Sequence, residues 1–207
     1  MSKKNSNETD DFFMSADGDQ ISMMAEIATE SENDTQQVEF EKEIPVLALR
    51  NMVLFPFVVM PISIARTSSL KLVNNAFKKK HPIALCCQLS ADTNNPGYQD
   101  LYHVGVIAKV LRVFELPGGN TTAIIQSTST KIHLDSIVKI QPYLKGMVSP
   151  MNEEAVDEHS DEFKALMENC KELANKYVEK SDRVAHDTIF AIKNLDHPVI
   201  LTNFICT

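Results

Sequence analysis

Apolar residues are unevenly distributed along the chain, and their spacing divides it into three parts. Residues 1–43 are mostly polar and carry only two small apolar clusters, Phe12-Phe13-Met14 and Ile21/Met24/Ile27. Short β-type apolar runs then continue to about residue 150, and apolar spacing of three and four residues follows from there to the end. The pattern therefore predicts a polar leader at 1–43, a β-rich domain at 44–150 and a helical subdomain at 151–207.

The middle part reads as several short strands with one helix inserted. Predicted strands cover residues 44–50, 83–89, 104–114, 121–126, 131–134 and 142–148. Leu116-Pro117-Gly118-Gly119-Asn120 supplies a hairpin loop. Thr67 or Ser68 can cap a helix that runs to Lys79, with Leu70, Val73, Ala76 and Phe77 on one face. Such spacing indicates an α+β fold with a small closed or half-closed β-barrel.

Residues 53–64 are rich in β-branched and aromatic side chains but contain Pro56 and Pro61. Proline has no backbone N–H to give to a strand ladder, so we expect both at strand edges, bulges or turns.

The last part has helical periodicity. One apolar stripe has members at steps of three and four, namely Phe163, Leu166, Met167, Cys170, Leu173, Ala174, Tyr177 and Val178. A second helix is predicted at 183–195 to cover it. Asp196-His197-Pro198 opens a third, whose apolar face is interrupted at Thr207 without a capping signal. We expect the chain to be a fragment of a longer protein.

Charge separates the leader from the remainder. The whole chain has 20 basic and 28 acidic residues and a net charge of −8, while residues 1–43 alone hold 12 acids and three lysines. We expect a mostly disordered leader, with a docking motif at Ile21/Met24/Ile27 as the alternative. The near-neutral remainder argues against nucleic-acid binding.

Targeting signals and cysteines favour a cytoplasmic protein. No apolar run approaches the roughly 20 residues of a membrane span, and the N-terminus has no apolar segment typical of a signal peptide. The four cysteines include no CxxC pair and read as reduced thiols.

No motif for catalysis is present in the sequence. The six glycines form neither GxxxxGK[ST] nor GxGxxG, and GxSxG and HExxH are absent. The six histidines are scattered, and Cys86 and Cys87 point to opposite faces of a strand. We predict no catalytic residue, no metal site and no cofactor site here, and we read Lys78-Lys79-Lys80 as a solvated helix end.

One stretch resembles the opening of the N-terminal domain of Lon proteases, where P-L-x-x-L-R-x-x-V-x-F-P-x-x-x-x-P recurs. The pattern is met by Pro45, Leu47, Leu49, Arg50, Val53, Phe55, Pro56 and Pro61, with near rather than perfect spacing at Pro45. The resemblance continues through residues 100–108 (DLYHVGVIA), the 116–119 hairpin and residues 191–195 (AIKNL). Phe57 stands where the family often has Gly, and Val106 replaces a frequent Thr.

This resemblance implies a PUA-like β-barrel followed by the first helices of a bundle. In the parent protein it implies an AAA+ ATPase that uses ATP and Mg²⁺ and a Ser-Lys protease domain, in a cytosolic hexamer that unfolds and cleaves damaged or regulatory proteins. Neither the nucleotide-binding motifs nor the protease active site of that parent protein lies in these 207 residues. What carries over is recognition of unfolded or degron-bearing polypeptides.

Four residues are the candidate substrate contacts: Met52, Phe55, Phe57 and Met60. Pliable thioethers and rings on a proline-bent segment suit a surface that accepts many sequences. We predict that at least Phe57 and Met60 border an exposed apolar patch of several hundred Å². The alternative is that all four simply fill the barrel and its interface with the helices.

Two other functions stay open at the level of sequence. A free-standing Lon-domain adaptor without a protease is one, and the coding sequence beyond residue 207 would distinguish it. An RNA-binding module is the other, because PUA-like barrels elsewhere bind RNA, but the chain lacks interleaved basic and aromatic residues.

Overall fold

A computed structural model describes residues 40–115, 121–151, 157–181, 184 and 188–206. These residues form two compact units that divide near residue 155. Most of the predicted leader and the predicted 116–120 hairpin loop lie outside the described residues.

The first unit contains six strands and one long helix. In chain order these are β1 (Glu43–Leu49), β2 (Val59–Ile64), α1 (Thr67–Lys79), β3 (Ile83–Gln88), β4 (Leu101–Glu115), β5 (Thr121–Lys139) and β6 (Lys145–Pro150), with a 3₁₀ turn at Tyr98–Asp100 before β4.

The strands form one mixed sheet in the order β2-β5-β4-β3-β1-β6, and β6 also pairs with β5. β1 and β3 are parallel, and the other pairs are antiparallel. The sheet therefore curls back on itself, but it is not a barrel closed through every strand, because β2 pairs in the described structure with β5 alone. The predicted α+β class with an inserted helix is confirmed.

Alternating side chains of five strands fill the interior of this curled sheet. The central cluster consists of Ile44, Val46, Ala84, Cys86, Leu101, Ile107, Ile132, Leu134 and Val148. Close approach of β3 and β4 requires Gly105, because a Cβ there would lie 2.3 Å from the carbonyl oxygen of Leu85. Burial of each large apolar side chain stabilises the unit by about 1.5–3 kcal/mol before entropy is counted.

Two local predictions in this unit were wrong in detail. The helix runs to Lys79 as expected, but Arg66 is its N-cap and makes no side-chain capping bond. Its buried face is Leu72, Val73 and Ala76, whereas Phe77 is 42% exposed. Helical spacing alone did not decide which side of the helix meets the sheet.

The second unit contains α2 (Asp161–Lys180), α3 (Thr188–Asn194) and α4 (Pro198–Cys206). Ser160 caps α2 by accepting a hydrogen bond from the backbone N–H of Phe163 at 3.2 Å. Pro198 opens α4 as predicted. The predicted start of the second helix at residue 183 lies outside the described residues.

Part of the predicted α2 stripe is exposed. Val178 is buried, but Leu166, Leu173 and Tyr177 are 60%, 66% and 67% exposed. By length, α2 spans about 30 Å and the seven residues of α3 roughly 10 Å, so α3 alone is too short to cover the whole stripe. None of the helices that the structure describes is long and apolar enough to cross a bilayer.

Candidate functional site

The proline-bent segment that carries the candidate residues is a turn rather than a strand. Residues 52–58 have no strand pairing, and β2 begins only at Val59. Pro56 and Phe57 form the centre of the turn, and Phe57 has φ +65°. A proline at the second position of a turn and a positive φ at the third are typical of a type II turn, in which Gly normally occupies the third position. Pro61 lies on the edge strand β2, so both prolines occupy the kinds of position predicted for them.

A serine on a distant strand holds this turn. The buried Ser127 hydroxyl of β5 donates to the carbonyl oxygen of Phe55 at 2.5 Å and accepts from the N–H of Val58 at 2.8 Å. The backbone N–H of Ser127 donates to the carbonyl of Val58 at 2.9 Å. Both ends of the turn are thus fixed to β5 by hydrogen bonds that satisfy otherwise unpaired backbone groups.

A mostly apolar cavity of about 490 Å³ opens beside the start of this segment. We call it the apolar cavity. Three of its lining side chains are large, apolar and half exposed: Val53 at 53%, Tyr102 at 54% and Val104 at 55%. The rest of the lining is Leu49, Asn51, Met52, Leu54, Leu85, Cys87, Gln88 and Gly105. This volume lies in the usual range for ligand pockets and fits one large side chain of a partner.

A second cavity, of about 260 Å³, lies on the other side of Met52. We call it the arginine cavity, because Arg50 and Arg66 belong to its lining. The other lining residues are Leu47, Ala48, Leu49, Met52, Pro61, Ile62, Ser63, Ile64, Ala65 and Ser69. Leu49 and Met52 line both cavities, so the two cavities adjoin at these residues.

Comparison with known protein families decides the family of this chain. A family model described as the ATP-dependent protease La (LON) substrate-binding domain matches residues 43–207. The chain belongs to this family.

Relatives and solved structures agree with the assignment. The Lon protease of Flavobacterium johnsoniae is 35% identical over 179 residues, which are 86% of this chain and 22% of that protein. The Lon protease of Parabacteroides distasonis is 37% identical over 193 residues, 91% of this chain and 23% of that protein. The chain thus spans less than a quarter of the length of these relatives. The N-terminal domain of Mycobacterium avium complex Lon protease has the same fold, with TM-score 0.60, 23% identity and coverage of 78% of this chain and 80% of that one.

Within this Lon substrate-binding domain, the four candidate residues occupy different places. Met52 lines both cavities, whereas Phe55, Phe57 and Met60 line neither. All four are half-buried. Met60 is in β2, in register with Ile125 of β5. That Phe57 and Met60 border an exposed apolar patch stays a prediction.

Sequence reasoning missed the residues that expose the most apolar surface at the cavity. Tyr102 and Val104 alternate with His103 along β4, and their exposure depends on what packs beside the strand. The signal available in the sequence was two large apolar residues at alternate positions of a strand that also carries polar ones.

A polar cluster on the sheet has the residue types of a catalytic triad without its geometry. Asp135 accepts from His133 Nδ1 at 2.9 Å and from the Ser149 hydroxyl at 2.8 Å. These hydrogen bonds, that of His133 first, lower the pKa of Asp135. The carboxylate thus lies between the imidazole and the hydroxyl, whereas in a catalytic triad the imidazole lies between the other two groups.

The thiols and the other potential metal ligands are dispersed. Cys86 is buried, Cys87 is half-buried, and burial raises the pKa of the Cys86 thiol to about 12. No group of three or more His, Cys, Asp or Glu side chains within the described ranges could hold a metal ion.

Proposed function

We propose that this chain is the substrate-recognition part of an ATP-dependent serine protease that degrades misfolded and short-lived regulatory proteins. The observation that carries this proposal is the match of residues 43–207 to the Lon substrate-binding domain. Relatives of about four times its length that are named Lon protease support the same reading.

Within that protein, this chain binds unfolded or degron-bearing polypeptides. The apolar cavity and the half-exposed Val53, Tyr102 and Val104 around it provide the surface. Met52, at the boundary of the two cavities, supplies a pliable side chain that adapts to different partners. Phe55, Phe57 and Met60 extend the contact along the turn.

The chemistry belongs to other parts of the parent protein. We assign ATP and Mg²⁺ to an AAA+ domain, peptide cleavage to a Ser-Lys site, and the working assembly to a hexamer in the cytoplasm. The four free thiols of this chain fit a reducing compartment.

Binding of a permanently unfolded protein tests this proposal. The probe is reduced and carboxymethylated lactalbumin, and the variants are Met52→Ser and the double variant Phe57→Ser/Met60→Ser. Removal of one large apolar contact is expected to weaken binding about tenfold. Phe77→Ser is the matched control, because Phe77 is 42% exposed but lines neither cavity.

Thermal unfolding of each variant separates lost contacts from lost folding. The proposal fails if the folded variants bind the probe as tightly as the original chain does. It also fails if Phe77→Ser weakens binding as much as they do, since the contact would then not be localised to this surface.

A further inference from the structure

Arg50 and Arg66 are the two basic residues among those that line the arginine cavity. Arg50 follows β1 and donates to Asn94 Oδ1 at 2.9 Å and to the carbonyl of Thr93 at 3.4 Å. Arg66 precedes α1 and donates to Gln88 Oε1. Each of these acceptors is neutral, and none of the described residues that line the cavity carries a carboxylate. Within the described residues, neither guanidinium has an ion-pair partner.

The two cations are close enough to affect each other. Burial, and then the charge of Arg50, lower the pKa of Arg66. The first turn of α1, which reaches the cavity through Ser69, has no acidic residue to offset this charge. An anion between the two guanidiniums would relieve their repulsion and form charge-assisted hydrogen bonds, which are about twice as strong as neutral ones.

The apolar lining residues of the arginine cavity indicate which other groups the ligand must have. Leu47, Pro61 and Ile62 make most of the cavity apolar, and the apolar cavity begins on the far side of Met52. A ligand that fills both cavities has a carboxylate beside a large apolar group. A polypeptide with an acidic residue next to an aromatic or aliphatic one has this chemistry.

We propose that Arg50 and Arg66 bind the side-chain carboxylate of an Asp or Glu in an unfolded polypeptide, while the preceding apolar side chain enters the apolar cavity. The inference rests on the proposed function and names its substrate class as apolar–acidic segments. Internal side chains are the assigned source, because a polypeptide has many of them and a single C-terminal carboxylate.

Matched peptides test the assignment with the full 207-residue chain. Both are acetylated and amidated at their ends; one carries Leu-Phe-Asp-Asp in a Gly/Ser context, and the other Leu-Phe-Asn-Asn. Calorimetric titration is expected to show about tenfold tighter binding of the acidic peptide at low salt, and a smaller difference at high salt.

Arginine variants then locate the charge contact. Arg50→Gln and Arg66→Gln are expected to remove the preference for the acidic peptide and leave binding of the Asn peptide unchanged. Arg50→Lys should keep part of the preference, because it keeps the charge but not the planar fork. Lys78→Gln is the matched control, since Lys78 is an exposed cation in the last turn of α1.

The outcomes separate this inference from the proposed function. Equal binding of both peptides by the original chain, or preference only for a peptide with a free C-terminal carboxylate, would overturn the inference and leave the proposed function standing. Failure to bind either peptide or unfolded lactalbumin would overturn both. If Arg66→Gln disturbs folding, Arg50→Gln is the deciding variant, because Arg50 is exposed and its side chain donates, among the described residues, to Thr93 and Asn94 of a loop.

Discussion

Phe57 occupies a backbone conformation that glycine tolerates best. Its φ of +65° is strained for a side chain with a Cβ, and the Lon family pattern often has Gly at this place. Lys80, with φ +54°, ends α1 in the same conformation, which is also most often taken by Gly.

Replacement of Phe57 by Gly is expected to give a chain about 1 kcal/mol more stable than replacement by Ala. Both variants lose the ring, but only Gly removes the strain of the positive φ. Urea denaturation of the two variants measures this difference. A Gly variant no more stable than the Ala variant would show that the backbone at residue 57 is not strained.

Burial of the Cys86 thiol makes the stability of the folded chain depend on pH. Burial, and secondarily Cys87, raise its pKa from 9.0 to about 12 in the folded chain. Between these two values the unfolded chain releases a proton that the folded chain retains. The unfolded state is therefore favoured increasingly as the pH rises above 9.

The free energy of unfolding is expected to fall by up to about 1 kcal/mol per pH unit above pH 9 through this group. Urea titrations at pH 9 and pH 11 measure this fall. The free energy of unfolding of Cys86→Ala should decrease less between the two pH values than that of the original chain. For Cys206→Ala, which changes an exposed thiol, it should decrease as much as for the original chain. Equal slopes for all three chains would mean that Cys86 ionises freely when folded.

At the scale of elements, β5 determines the position of the candidate segment. The Ser127 hydroxyl lies between the two ends of the Phe55–Val58 turn, and β5 pairs with β2 immediately after it. The turn therefore moves only with β5.

Replacement of Ser127 by Ala is expected to cost about 1–3 kcal/mol, because the N–H of Val58 and the carbonyl of Phe55 lose a buried partner. Thermal or urea unfolding measures the cost. Ser129→Ala, on the same strand, should stay within about 0.5 kcal/mol of the original chain. A similar small effect at Ser127 would contradict the role of its hydroxyl.

Elements with strong local patterns could be predicted from the sequence, and those decided by distant contacts could not. β1, β3 and α4 follow from short apolar runs and from a proline at a helix start. The 53–58 stretch has strand-like composition, but it turns because Pro56 begins a turn that Ser127, 72 residues after Phe55, holds in place. No window of neighbouring residues contains that information.

The candidate site could be predicted from the sequence only in part. Met52 was a candidate from the thioether and proline pattern of its own segment, and it lines both cavities, but its contact with substrate stays a prediction. Tyr102, Val104 and Arg66 were missed as site residues, because each joins the cavities only through the pairing of β3 with β4 or the placement of α1.

At the scale of the whole molecule, the proposed function assigns binding to this chain and chemistry to other parts of the parent protein. The 207 residues contain no phosphate-binding glycine loop. The purified chain is therefore expected to release no phosphate from ATP and to cleave no casein above background, while it binds unfolded lactalbumin equally with and without ATP. Turnover of either substrate by the pure chain would contradict this division.

The edge strand β2 affects how a substrate polypeptide could bind to this domain. It is only six residues long and contains Pro61, a residue that cannot complete a ladder of main-chain bonds. A substrate segment is therefore poorly placed to pair with β2 as an additional strand of the sheet. Under the proposed function, pockets bind the side chains of a substrate polypeptide and leave its backbone unpaired, so its transfer onward would not require a strand to be separated from the sheet.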